Sequence, residues 1–140
     1  MSLMSISTIK IWKKIISTGD EKQLMNIIHE KAIFHSPVVY LPQKGKEKVF
    51  KYLSSAVKTF HGKSFTYTDN IISKNEVYFA EFKGHFDDIE VNGIDLIKCE
   101  DSLIKEFKVF LRPIKAIEKV WNEMQQRLVE YDLSLIHISE

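Results

Sequence analysis

Apolar residues along this chain recur at helical spacing in four places and at strand spacing in four longer runs. Ile6, Ile9, Trp12 and Ile16 mark the first helix, and Ser17-Thr18-Gly19 supplies its stop. Asp20 followed by Gln23 reads as an N-cap with its capping-box partner, opening a second helix with the apolar face Leu24, Ile27 and Ile28. The chain is therefore predicted to begin with a helical hairpin. Ala32 to Ser36 is apolar and compatible with a strand that Pro37 limits. Val49, Tyr52, Leu53, Ala56 and Phe60 then fall at i, i+3, i+4, i+7 and i+11, with Gly62 placed as a C-cap, and predict a third helix.

From residue 64 the period changes from helical to two. The runs 64–73, 76–86, 89–100 and 103–112 are rich in Val, Ile, Phe, Tyr and Thr, and the breaks between them are short enough for hairpins. An antiparallel meander follows. Pro113 suits a first helical turn, and Ile114, Ile117, Trp121, Met124 and Leu128 outline a terminal amphipathic helix. Helices before strands define an α+β domain whose helices cover one face of a curved sheet.

At 140 residues the chain has room for one domain with a sizeable core, and 44% hydrophobic with 28% charged residues is an ordinary globular composition. Its formal charge of +1 comes from basic and acidic residues interspersed throughout. Lys13-Lys14 and the run 44–48 read as solvated surface, so neither nucleic acid nor a membrane is an expected partner. A lone Cys99 and the absence of a leader pattern point to a cytoplasmic protein. Met1-Ser2-Leu3 ahead of Met4 reads as an expression scar, and 133–140 breaks the preceding charged helical pattern, which sets the expected domain at 4–132.

The Gly19-Asp20 junction, a strand ending in Ser36-Pro37, and Gly93-Ile94-Asp95 before a hairpin together resemble the nuclear transport factor 2-like superfamily. The likeness is to its SnoaL-like, polyketide-cyclase-like and ketosteroid-isomerase-like branches. It implies a bent sheet wrapped around a long helix into a cone whose open end is an apolar pocket. It also implies a homodimer through the outer sheet face. By the same comparison the isomerases' general-base Asp position is held here by Ser36, their oxyanion-binding Tyr position by Trp12, and only their second oxyanion donor is matched, by Asp95. A serine hydroxyl without a neighbouring base is a weak proton acceptor, so isomerase chemistry is disfavoured. The epoxide-hydrolase branch requires an Arg where this chain has Gly93 and an Asp near Leu111-Arg112-Pro113, so that activity is disfavoured too.

Asp95, inside the apolar run Ile94-Asp95-Leu96-Ile97, is either a pocket hydrogen-bond donor or half of a structural pair with Arg112 or a lysine. His35 is adjacent to Ser36, but strand alternation sends the two to opposite faces, and the isomerase comparison places Phe34 and Ser36 inward. Glu81 shares a face with Val77, Phe79, Lys83 and His85, either in the cavity or at a rim. The five histidines lack ligand spacing, so no metal is expected, and no phosphate-binding loop or other cofactor motif is present.

These readings converge on a domain that binds a small apolar or amphipathic molecule, with Trp12, Phe34, Ser36, Tyr52, Phe79, Asp95, Phe107, Val109 and Leu111 as lining residues. Two alternatives stand beside it. One is a lyase, isomerase or cyclase in which His35 or Glu81 is the base and Asp95 the acid. The other is an adaptor or dimerisation module whose cavity is filled by its own side chains.

Overall fold

The computed structural model describes residues 3–139, with side-chain surroundings described for 6–134; Met1, Ser2 and Glu140 lie outside the described residues. Helix α1 (Leu3–Thr18) leads through a 3-10 turn (Met25–Ile27) to β1 (Ile28–His35) and a short β2 (Gln43–Lys44). Helix α2 (Lys46–Phe60) precedes β3 (Thr66–Lys74), β4 (Val77–Phe86), β5 (Ile89–Glu100) and β6 (Leu103–Arg112), and α3 (Ile114–Ser139) closes the chain. The six strands form one sheet in the order β2-β1-β6-β5-β4-β3.

The expected meander is present as β3 to β6, all antiparallel. Two of its turns are two-residue hairpins in which Asn75-Glu76 and Asp101-Ser102 all carry positive φ, the conformation that lets the turn follow the twist of the flanking strands. The sheet as a whole is mixed, because β1 lies parallel to β6. Register shifts interrupt the β1–β6, β3–β4 and β5–β6 pairings, with the extra residues on β1, β3 and β6, and such bulges bend the strands that carry them. The result is a curved sheet folded around the apolar face of α2, whose Val49, Leu53, Val57 and Phe60 are buried.

The predicted second helix is not formed. Asp20 Oδ1 accepts the backbone N–H of Lys22, and the following bonds, Leu24 to Glu21, Asn26 to Gln23 and Ile27 to Leu24, are all of the three-residue type. A segment this short does not meet the cost of helix nucleation, while Ile28 gains a strand partner in Ile104 of β6. Long-range pairing therefore overrides the local spacing of Leu24, Ile27 and Ile28. At the other end α3 does not stop at Asp132 where its charge pattern breaks, but runs on to Ser139.

Alternation divides the sheet cleanly. On β4 the inward set is Tyr78, Ala80, Phe82, Gly84 and Phe86, each buried. Phe79 stands on the opposite face with 45% of its surface exposed, so it does not line the interior and that expectation is corrected. Both sets were readable as sets; which one met α2 depended on how the sheet curled.

Candidate functional site

Two interior features occupy the concave side of the sheet. The first is a polar relay. Trp12 on α1 donates its indole N–H to the Tyr67 hydroxyl at 2.8 Å, and Tyr67 in turn donates to Asp95 Oδ2. Asp95 is 5% exposed, and burial pushes its carboxyl up to about 7 although the Tyr67 hydrogen bond acts the other way. The Tyr67 phenol is held well above its ordinary value, first by burial and then by the neighbouring carboxyl. Arg112 is not the partner of Asp95: it bonds Asn92 Oδ1 at 3.3 Å on the outer face. Spacing does not single out Tyr67: it stands at the start of β3, two residues after Phe65, and only the fold brings its phenol over β5.

The second feature is a hollow at the open end of the cone. It measures about 40 Å³, and its walls are apolar apart from Ser36. Phe34, Ser36, Tyr52, Val109 and Leu111 form the sheet and α2 side, and Val120, Trp121 and Met124 of α3 form the roof. Phe34 stacks on Tyr52 with ring centroids 5.3 Å apart. Trp12, Asp95 and Phe107 are buried but do not line this hollow. Asp95 is nevertheless close by, since it pairs in register with Val109, whose side chain is a wall of the hollow. Trp12 packs edge-on against Phe107 at 5.1 Å and helps to seal the relay behind it.

The residues considered as bases do not join this interior. His35 points to the outer face, where its Nε2 lies 2.9 Å from Glu106 Oε1. Glu81 is also on the outer face and accepts from Thr68 at 3.0 Å, Asn70 at 2.9 Å and Asn92 at 3.2 Å. Those hydrogen bonds, from Asn70 first, hold its carboxyl below the ordinary range, so it is a satisfied carboxylate rather than a poised base. A sheet separates both groups from Asp95. Ser36 Oγ accepts the backbone N–H groups of Val38 and Val39 and closes the turn after β1, with the imidazole of His35 directed away from it. The acid–base pairing of His35 or Glu81 with Asp95 is thus not assembled. Among the described residues no group of three or more His, Cys, Asp or Glu is placed to hold a metal, and no helix is long and apolar enough to cross a membrane.

Gly93, the position where an epoxide-hydrolase-like site would carry Arg, has no room for a side chain. A Cβ there would lie 2.4 Å from Phe82 Cζ and 2.3 Å from the Phe110 carbonyl oxygen. The Phe82 ring fills that part of the interior.

No family model and no curated protein sequence matches this chain. Solved structures do. A steroid delta-isomerase from Pseudomonas aeruginosa superposes with a TM-score of 0.86 at 26% identity, covering 94% of this chain and 96% of that one. An uncharacterised protein with a cystatin-like fold from Silicibacter pomeroyi gives 0.77 at 26% identity, with 86% and 84% covered. An NTF2-like protein of unknown function from Mesorhizobium loti gives 0.69 at 16% identity, with 79% and 92% covered.

Proposed function

Because the chain carries the nuclear transport factor 2-like fold, we propose that it binds one small apolar or amphipathic molecule at the open end of the cone. The observation that carries this reading is the hollow between Phe34, Tyr52, Val109 and Leu111 on one side and Val120, Trp121 and Met124 on the other. At about 40 Å³ it is far smaller than the roughly 300–1,000 Å³ of a pocket for a drug-sized molecule. The ligand therefore either sends only a thin end inward or lifts the half-buried Trp121 out of the roof. The Asp95 carboxyl, one strand behind Val109, is the polar group such a ligand meets if it reaches deeper.

The 26% identity to the protein titled a steroid delta-isomerase does not transfer that activity here. Ser36 and Trp12 replace the proton acceptor and the phenol that the isomerase branch uses, and the nearest alternative bases face outward. Binding without that chemistry is the reading the residues support.

The test uses the neutral fluorophore N-phenyl-1-naphthylamine. Saturable binding is expected, with Trp121 emission quenched in step, and Trp121→Ala, which widens the hollow, is expected to raise affinity about tenfold while the fold is retained by circular dichroism. Fluorophore uptake that never saturates, or that ignores Trp121→Ala, rejects this site.

The outer face supports a homodimer. Phe79, Ile94 and Phe110 are 45%, 41% and 52% exposed, and the pairings Phe79 with Leu96 and Ile94 with Phe110 join them into one apolar patch at the middle of the sheet. A patch of that kind, rimmed by charged residues, marks an interaction surface. Phe110→Glu is expected to shift the protein from dimer to monomer in sedimentation equilibrium without lowering its melting temperature appreciably. A monomeric starting protein at tens of micromolar would dismiss the dimer.

A further inference from the structure

Outside the mouth of the cone lies a second space, a surface groove of about 450 Å³ between the loop after β1 and strand β6. It shares Ser36, Pro37 and Val109 with the inner hollow, so those three residues are the partition between the two spaces. Pro37, Pro42, Phe110 and the wholly exposed Tyr40 give it largely apolar walls. Its cation is Lys108. Two neighbours on this face share one carboxylate: the His35 imidazole lies 2.9 Å and the Lys98 ammonium 3.6 Å from Glu106. Lys108 itself has no hydrogen-bond or ion-pair partner among the described residues and is half-buried.

We propose that the ligand is an amphipathic carboxylate whose apolar end passes the Ser36-Pro37 partition into the hollow and whose anionic head rests in the groove against Lys108. This rests on the binding site proposed above and specifies what it takes. A half-buried ammonium without a counter-ion favours an anion, and its surroundings favour one with an apolar body. Ser36 supplies the second donor: its oxygen already accepts two backbone N–H groups, which leaves its own O–H free to donate. One ammonium and one hydroxyl match the two oxygens of a carboxylate. The groove sits where β6 meets β1, and Phe110 is both one of its walls and a member of the exposed apolar patch.

The experiment titrates octanoate and 1-octanol, which share a chain and differ in charge, by calorimetry. The protein is expected to bind octanoate about tenfold more tightly than octanol, the range of a charge-assisted hydrogen bond. Lys108→Met should remove that preference while leaving octanol affinity unchanged, and Lys74→Met, at the far edge of the sheet, should leave both alone. Raising the salt should weaken octanoate alone. If Lys108→Met does not fold, Lys108→Gln takes its place. Equal affinities in the unmodified protein, or a preference that survives at residue 108, overturn the head-group site while the pocket stands. Binding of neither molecule overturns both.

Discussion

Gly93→Ala is expected to destabilise the protein by about 3 kcal/mol or more, lowering the melting temperature by roughly 10 °C, because it forces a methyl group into occupied space. Gly93 is not there for backbone freedom. Its neighbours are a carbonyl oxygen of β6, 2.3 Å from the would-be Cβ, and the Phe82 ring, 2.4 Å away. The ring could swing only into an interior already filled by Phe60 and Phe65, whose centroids lie 5.9 and 5.0 Å from it. The carbonyl could move only by loosening the β5–β6 ladder, where Gly93 pairs with Leu111. Trimming the ring in the double variant Gly93→Ala/Phe82→Leu should recover part of the loss, a coupling expected of residues in direct contact. Thermal unfolding of the single and double variants decides it. A single variant as stable as the parent would show that Phe82 is loosely held and that the cone interior has more free space than its packing indicates.

Asp95→Asn is expected to abolish a pH dependence of stability worth about 4 kcal/mol, the free energy that corresponds to a carboxyl raised from 3.8 to about 7 on folding. Below pH 4 the carboxyl is protonated whether the chain is folded or not, and stability is at its fullest. Between pH 4 and 7 the unfolded chain gives up this proton while the folded one keeps it, so stability falls as pH rises. Above about pH 7 both forms are ionised and the loss is complete. The asparagine variant has nothing to titrate at this position. Its stability relative to the parent should therefore climb from pH 4 to pH 8 and then level off, other groups cancelling in the difference. Urea unfolding at pH 4, 6 and 8 measures it, and parallel profiles for the two proteins would mean that Asp95 is not desolvated beneath Tyr67. The same burial keeps much of Asp95 neutral near pH 7.

Much of this architecture was legible from residue spacing. The four meander strands lie within two residues of where alternation put them, and the α2 face of Val49, Leu53 and Phe60 is the face that is buried. The inward sets of β5 and β6, with Asp95, Phe107, Val109 and Leu111 sharing the concave side, also follow from a period of two. The candidate site was legible only in part. Phe34, Ser36, Tyr52, Val109 and Leu111 meet at the hollow, but Trp12, Asp95 and Phe107 lie behind it and Phe79 lies outside. No local pattern announced Tyr67 as the phenol that covers Asp95, nor Phe82 as the ring that excludes a side chain at Gly93.

The sequence by itself determined the first, third and last of the predicted helices, the four meander strands, and which residues travel together on one face. Those are local properties, set by side-chain period, turn chemistry and the identity of single residues. Only the tertiary structure decided the parallel pairing of β1 with β6 that dissolved the second predicted helix, the turning of Phe79 and Glu81 away from the interior, and the placing of α3 as a roof over the cone. Each of these is a competition between surfaces distant in the chain, won by the arrangement that buries the most apolar area and leaves the fewest polar groups unpaired, and local spacing carries no information about that contest.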